Sequence, residues 1–445
     1  MSYFPLSDKD RKQMLQEIGV KDFDELVASI PKKLRNPKID LPQPLSELEL
    51  RRNVTRLAQS NLSTDDVLSF AGGGAYEHFI PAVINHVISR SEFYTAYTPY
   101  QAEASQGTLQ SIYEYQSMIC QLTGMDVSNA SHYDGATSMA EAAALSVNVK
   151  RRKKILVAKT VHPEYRYVLR TYLSGTDVEI VELAFNDNGF IDSNILKPLM
   201  NDEVACCIVQ SPNVFGLVEN FSEVEKIAHD KGSFFIIVGN PLSFVRFKSP
   251  GEWNADIACG DGQVLGNALS FGGPYLGYFA ARKELMRKIP GRLIGMTKDS
   301  EGRRAFTMTL QTREQHIRRE RATSNICSNQ ALCALAAAVY LTALGKQGLR
   351  QVADLNIQNA NYLRDCIRKL SNFEIMFQGT IFNEFVVKTK KDVEEVIKSL
   401  LKKNIHAGLN LSRWYPKLKN TLLICATETK SKEDLDLFVD ALSEI

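Results

Sequence analysis

The chain has 445 residues and a net charge of +2, enough length for a sizeable core and two or three domains. Its apolar fraction of 44% and charged fraction of 23% are those of an ordinary globular protein, and its charge balance gives no overall pull toward nucleic acid. The start, Met-Ser-Tyr-Phe-Pro followed by charged residues, has no basic segment before an apolar run, so no secretory leader is expected. The most apolar stretch, 331–345, is shorter than the ~20 residues a membrane span needs and is expected to be a buried helix. Eight cysteines without CxxC or framework spacing point to free thiols and a cytoplasmic protein.

In chain order, Ser7 is a suitable N-cap for a short helix carrying Met14 and Ile18. A second helix is expected over 24–30, stopped by Pro31, then a Pro- and charge-rich linker or arm to Pro44 and a helix over 45–59. From 107 to 280 helices and apolar strands alternate. Helices are expected at 109–122, 138–149, 164–173 and 222–230, and strands at 155–158, 178–182, 205–209, 234–238, 256–259 and 276–279. This alternation predicts a mainly parallel sheet covered on both faces, with ligands at the carboxyl ends of its strands. Helices over 328–344 and 348–369 follow. The strand 381–387, helix 392–402, a loop holding His406 and Gly408, strand 421–426 and helix 432–442 then make a smaller α+β domain. The expected organisation is an N-terminal helical arm at 1–64, a large α/β domain at 65–327 and a small domain at 328–445.

Several chemistries are set aside. Gly72–Gly74 lack the Lys-Ser/Thr of a phosphate loop, Gly260-x-Gly262 has its next glycine at 266, and no Gly-x-Ser-x-Gly occurs. No two of the seven histidines stand three or four apart, so no helical metal pair is offered and no metal is expected. The basic run 150–154 falls where a helix ends, where cations complement its dipole, or it meets an acidic partner. The segment 93–107 packs Tyr94, Tyr97 and Tyr100 with two glutamines and a carboxylate around Pro99. Pro99 biases Thr98 to extended geometry, so a loop is expected, either a binding surface or a packed loop whose phenols cap backbone. The segment 311–327 carries Arg313, Arg318, Arg319 and Arg321, with Glu314 placed to pair Arg318 on a helix. It reads as a charged interdomain hinge, or as a clamp for an anion.

These segments resemble the P-protein family of the glycine cleavage system. The resemblance is carried by 96–107 (AYTPYQAEASQG), Leu122-Thr-Gly-Met-Asp126 with Asn129-Ala-Ser131, Gly251-Glu-Trp-Asn-Ala-Asp256, Phe271-Gly-Gly-Pro274, 310–327 and the opening 8–20. It extends along essentially the whole chain and matches the N-terminal half of the single-chain form, or the alpha subunit of the two-subunit form. It implies an α/β fold-type I pyridoxal-phosphate (PLP) transferase architecture, with His162 where a histidine stacks on the cofactor ring. The sequence departs from that pattern twice. Gln263 stands where the Schiff-base lysine would lie, and the strand ending at Asn240 lacks the aspartate that holds the ring nitrogen. A glutamine amide forms no imine, and without the aspartate nothing keeps the pyridine protonated.

The resemblance therefore implies no covalent catalytic residue in this chain and a vestigial pocket at His162 and Gln263. PLP would be held by a beta subunit in an αβ or α2β2 heteromer that decarboxylates glycine and passes the aminomethyl group to the lipoyl group of H-protein. Tyr97, Thr98, Tyr100, Gln101, Ser105, Gln106 and Arg313 are the residues expected to contribute to the partner's active site. No nucleic acid or membrane partner is expected. The alternatives are a self-sufficient enzyme using Lys159 or Lys298, and a scaffold that only stabilises its partner.

Overall fold

A computed structural model describes residues 5–35 and 37–445. The first four residues, where the leader expectation begins, and Asn36 in the expected linker lie outside the described residues. The chain divides into two compact units, Met1–Leu62 and Ser63–Ile445.

The first unit carries helices Asp8–Ile18, Phe23–Leu26 and Glu47–Ala58. Ser7 and Ser46 each close a capping box with the acidic residue three positions on, satisfying two backbone donors reciprocally. The second helix is shorter than expected. The carbonyls of Ala28 and Ile30 accept hydrogen bonds from the Arg35 guanidinium at 2.7 and 2.6 Å, so the turn closes there. The three helices bury none of their side chains.

In the second unit, seven strands form the main sheet. They are β1 (Val127–Ser128), β2 (Lys154–Ala158), β3 (Glu179–Leu183), β4 (Val204–Gln210), β5 (Phe234–Val238), β6 (Ile257–Asp261) and β7 (Gly277–Ala281). Their spatial order is β1-β7-β6-β5-β4-β2-β3. The pairs from β6 to β3 are parallel and β7 pairs antiparallel with β6 and β1. β4 and β5 are buried along almost their whole length, which is why they read as unbroken apolar runs. The helix Gly135–Lys150 crosses the sheet, its N-terminus capped by Asp134. Its basic end is put to structural use. Lys150 lies 4.0 Å from the centre of the Phe234 ring, and Arg152 donates 2.9 Å bonds to the carbonyls of Val204 and Lys231.

A four-stranded sheet of Phe373–Ile375, Glu384–Thr389, Leu409–Asn410 and Thr421–Cys425 has its own apolar core. That core includes Phe70 and Phe215, so segments preceding the main sheet and inside it pack here too. The helix Ala331–Ile367 joins the two expected helices across a break at Gly345 (φ 58, ψ −172). Its first half is apolar enough for a membrane span, but Ala334, Ala337, Tyr340 and Leu341 are buried in a protein core.

A feature absent from the sequence reading is the antiparallel hairpin of Leu293–Lys298 and Arg304–Thr309. Two glutamines of the helix Gln106–Thr123 hold it. Gln116 accepts from the Ile294 N–H and donates to its carbonyl, both at 3.0 Å. Gln106 does the same to Phe306, both at 2.8 Å. Each amide thus imitates one rung of a β-ladder. Gln116→Leu would strand a buried N–H and C=O, each worth about 1–3 kcal/mol when left unpaired. Urea unfolding of that variant should show a loss of at least about 2 kcal/mol, against little change for Gln110→Ala on the same helix.

Candidate functional site

The carboxyl ends of β2, β4, β5 and β6 converge on one pocket, as the topology predicts. It is lined by Gly74, Tyr76, His162, Tyr165, Gln210, Pro212, Val238, Gly239, Asn240, Asp261, Val264 and Asn383. His162 follows β2. Its backbone N–H donates to Gln210 Oε1 at 2.8 Å, and its ring Nε2 donates to the Gly73 carbonyl at 2.7 Å. Nδ1 faces the Glu164 N–H at 3.3 Å, so the neutral tautomer with hydrogen on Nε2 satisfies both partners. Burial holds this imidazole below its ordinary pKa.

Gln263, on the turn after β6, is only 2% exposed. Its Oε1 accepts from the Tyr76 N–H at 3.0 Å, while its Nε2 donates to the carbonyls of Tyr76 at 2.9 Å and Asn267 at 2.8 Å. The segment 72–76 is thereby pinned into the pocket. Glu384 completes the anchorage, accepting from the Gly73 N–H at 2.6 Å and from the Tyr76 hydroxyl at 2.7 Å. A Cβ at Gly72 would lie 2.8 Å from the Cys425 Cβ and would also displace the Glu384 carboxylate. Gly74 (φ +101) rests against the imidazole, where a Cβ would be 3.3 Å from His162 Cδ2.

The loop and arginine segments meet elsewhere, around the hairpin. Tyr97 is 86% exposed, Tyr100 and Gln101 are also exposed, and Thr98 is half-buried above a buried Pro99. Ser105 is the N-cap residue of the Gln106–Thr123 helix without a side-chain cap bond. Gln106 spends its amide on Phe306, as described, and on Ala102. Tyr100 brings the two segments together, its ring centre 6.3 Å from that of His316 and 5.9 Å from Arg292 Cζ. Arg313 donates to the carbonyls of Leu310 and Gly291 at 3.1 Å and to that of Ile289, fixing the approach to the hairpin. The expected Glu314–Arg318 pair does not form. The helix there is only Gln315–Arg318, Arg318 Nε donates to the Thr312 carbonyl at 3.2 Å, and Glu314 faces His316 at 3.5 Å. Sequence reasoning missed Glu384, Asp261 and Arg292, whose distinguishing property is burial and not a motif.

The fold is that of the fold-type I PLP enzymes. It is similar to sphingosine-1-phosphate lyase of Burkholderia pseudomallei (TM-score 0.66, 12% identity, 93% of each chain). It is more similar to a crystal structure of glycine decarboxylase (P-protein) of the glycine cleavage system in inhibitor-bound form (TM-score 0.93, 40% identity, 100% of each chain). Residues 1–442 match the family profile described as "Glycine cleavage system P-protein", and the chain belongs to that family. Relatives named "Probable glycine dehydrogenase (decarboxylating) subunit 1" include those of Desulfitobacterium hafniense (50% identical, 100% of each chain) and Geobacillus sp. WCH70 (51% identical, 99% of this chain and 98% of the relative).

The residues of the pocket do not fit PLP. Among the described residues lining it there is no lysine for an imine and no arginine for a phosphate. Val238, Gly239 and Asn240 at the end of β5 supply no carboxylate. The space left is about 40 Å³, far below the several hundred Å³ usual for ligand pockets. Lys159 and Lys298, the alternative imine formers, do not line it. Gln263→Lys alone should therefore create no PLP adduct. Borohydride treatment of that variant with PLP should leave no labelled peptide at 263, and a stoichiometric label there would disprove the blockade.

Desolvation pushes the buried Glu384 and Asp261 carboxyls up to about 7. A raised folded-state pKa means the native chain binds the extra proton, so this stability is complete below the unfolded value and is lost as pH rises toward 7. Glu141 and Glu219 are raised to about 7 as well. Glu384→Gln keeps an acceptor for the Gly73 N–H and cannot ionise. Its melting temperature should fall less steeply between pH 5 and 8 than that of the parent chain, and equal slopes would refute the assignment.

Proposed function

We propose that this chain is the cofactor-free subunit of a glycine decarboxylase that works only in complex with a beta subunit. In this reading the complete enzyme removes the carboxyl group of glycine as carbon dioxide and passes the aminomethyl group to the lipoyl group of H-protein. PLP, held by the beta subunit in an αβ or α2β2 assembly, supplies the electron sink for that chemistry. The free thiols suit a reducing cytoplasm as its location.

The observation that carries the proposal is the Gln263 amide, bonded to the Tyr76 backbone where an imine-forming lysine would be needed. A chain so blocked must contribute by another face, and the 97–106 loop presents hydroxyls and amides at the surface. Tyr97, Thr98, Tyr100 and Gln101 are its outward donors. Gln106 and Arg313 set the position of the loop and of its neighbour, and Ser105 at the head of the helix keeps its hydroxyl free of a cap bond. Glycine offers only an amine and a carboxylate, so fixed donors around it set its orientation. Pro99, buried, and the Gln106 staple hold those donors without reorganisation at the moment of reaction.

The test is the double substitution Tyr97→Phe with Tyr100→Phe in the assembled two-subunit enzyme, which deletes two hydroxyls and keeps the rings. Release of labelled carbon dioxide from carboxyl-labelled glycine should fall by about tenfold or more, with assembly unchanged on size-exclusion chromatography. An unaltered rate would leave the chain as a scaffold for its partner.

A further inference from the structure

Arg292 stands at the start of the hairpin and is only 8% exposed. Its Nη1 donates to Asn329 Oδ1 at 3.2 Å and its Nη2 to the Cys327 carbonyl at 2.8 Å. Nε has no partner among the described residues. Both acceptors are neutral, and a guanidinium has five N–H donors to satisfy. A buried cation left in that state costs several kcal/mol unless an anion compensates it. The carboxylate lining the adjoining cleft, Glu314, faces His316.

Two independent features point the same way. The helix Ala331–Ile367 begins beside Arg292, and its N-cap residue Gln330 makes no side-chain cap bond. The first N–H groups of a helix have no intrahelical acceptor and carry a partial positive charge, the usual seat of an anion. The backbone next to it is strained. Ser131 is buried with φ 118, its N–H bonded to Asn129 Oδ1 and its Oγ accepting from Asn329 Nδ2 and the Gln330 N–H, each at 3.2 Å. Such strain outside glycine persists where surrounding contacts over-determine it, and it clusters at functional sites. Arg292, Gln330 and Ala331 line a cavity of about 250 Å³ together with Tyr97, Thr98 and Leu335.

We propose that Arg292 and the uncapped start of the Ala331–Ile367 helix form an oxyanion site on the face that carries the 97–106 loop. The inference rests on the reading that this face completes a partner's active site. Its ligand is then the carboxylate of the small amino-acid substrate or the phosphate monoester of the partner-held cofactor. The planar fork of Arg292 meets two oxygens of either group, and the helix N–H groups meet a third or share one.

The experiment uses the assembled two-subunit complex with Arg292→Gln and, separately, Gln330→Asp. The second variant supplies a good N-cap and places a carboxylate in the site, so it should fold at least as well as the parent. Calorimetric Kd values are measured for glycine against methylamine, and for PLP against pyridoxal in the cofactor-stripped complex. Both variants should weaken one anionic ligand by about tenfold or more, the scale of a lost charge-assisted hydrogen bond, and leave its counterpart lacking the anion within about twofold. Loss of glycine affinity alone assigns the substrate carboxylate, and loss of PLP affinity alone assigns the phosphate. Unchanged glycine and PLP affinities in Gln330→Asp, or equal weakening of both members of a pair, would overturn the site. If the tyrosine substitutions leave decarboxylation intact while Gln330→Asp weakens glycine or PLP, the reading of the loop falls and the oxyanion site stands.

Discussion

The amide of Gln263 spends both donors and one acceptor site on backbone, and the arrangement of the pocket follows from that. It takes the N–H and the carbonyl of Tyr76 as a neighbouring strand would, so the segment 72–76 cannot leave without stranding two buried backbone groups. Because the clamp is an amide, it does not titrate, and no change of pH releases it. Glu384 reinforces it from the second sheet through Gly73 and Tyr76. His162 is held in one tautomer by the same segment. At the carboxyl ends of the strands, the segment 72–76 is thus part of the packing.

The same device recurs at the hairpin. Gln116 and Gln106 each pair with both backbone groups of one residue, Ile294 and Phe306. A side chain that completes a β-ladder rung from a helix stops a two-stranded ribbon from sliding, which a ribbon of mixed burial would otherwise do. The hairpin therefore holds a fixed place for Arg292 before its first strand and for the aromatic loop beside it. The fixed position of this surface derives from two glutamines inside one helix.

Much of the main sheet was legible because parallel strands buried on both faces are continuous apolar runs. The segment 234–238 is the plainest case, and its bounds agree with β5. The hairpin was not legible. Its sequence mixes glycine, charge and polar residues, and the groups that fix it lie some distance away on another helix. Gln263 and His162 could be named through a family resemblance, although the sequence did not reveal that Tyr76 occupies the glutamine. Gln106 stood out in the loop motif as a donor for a ligand, yet its amide is committed to Phe306. Arg292 escaped because a lone arginine before a strand has no pattern. That its Nε lacks a partner among the described residues, a three-dimensional fact, sets it apart from Arg313, whose Nε, Nη1 and Nη2 each donate to a carbonyl.

Glutamine and lysine codons differ at a single base, so a single-base change can place a lysine at position 263. In an ordinary cofactor site that change would be a simple reversion. Here the new amine would arrive opposite a Tyr76 carbonyl and a Tyr76 N–H, with Gly74 lying against the His162 imidazole. Room for a cofactor ring there would need the segment 72–76, which Glu384 also holds, to move as well. A single base separates glutamine from lysine at position 263, whereas the hydrogen bonds of Gln263 to Tyr76 and Asn267 tie it to two other segments of the chain.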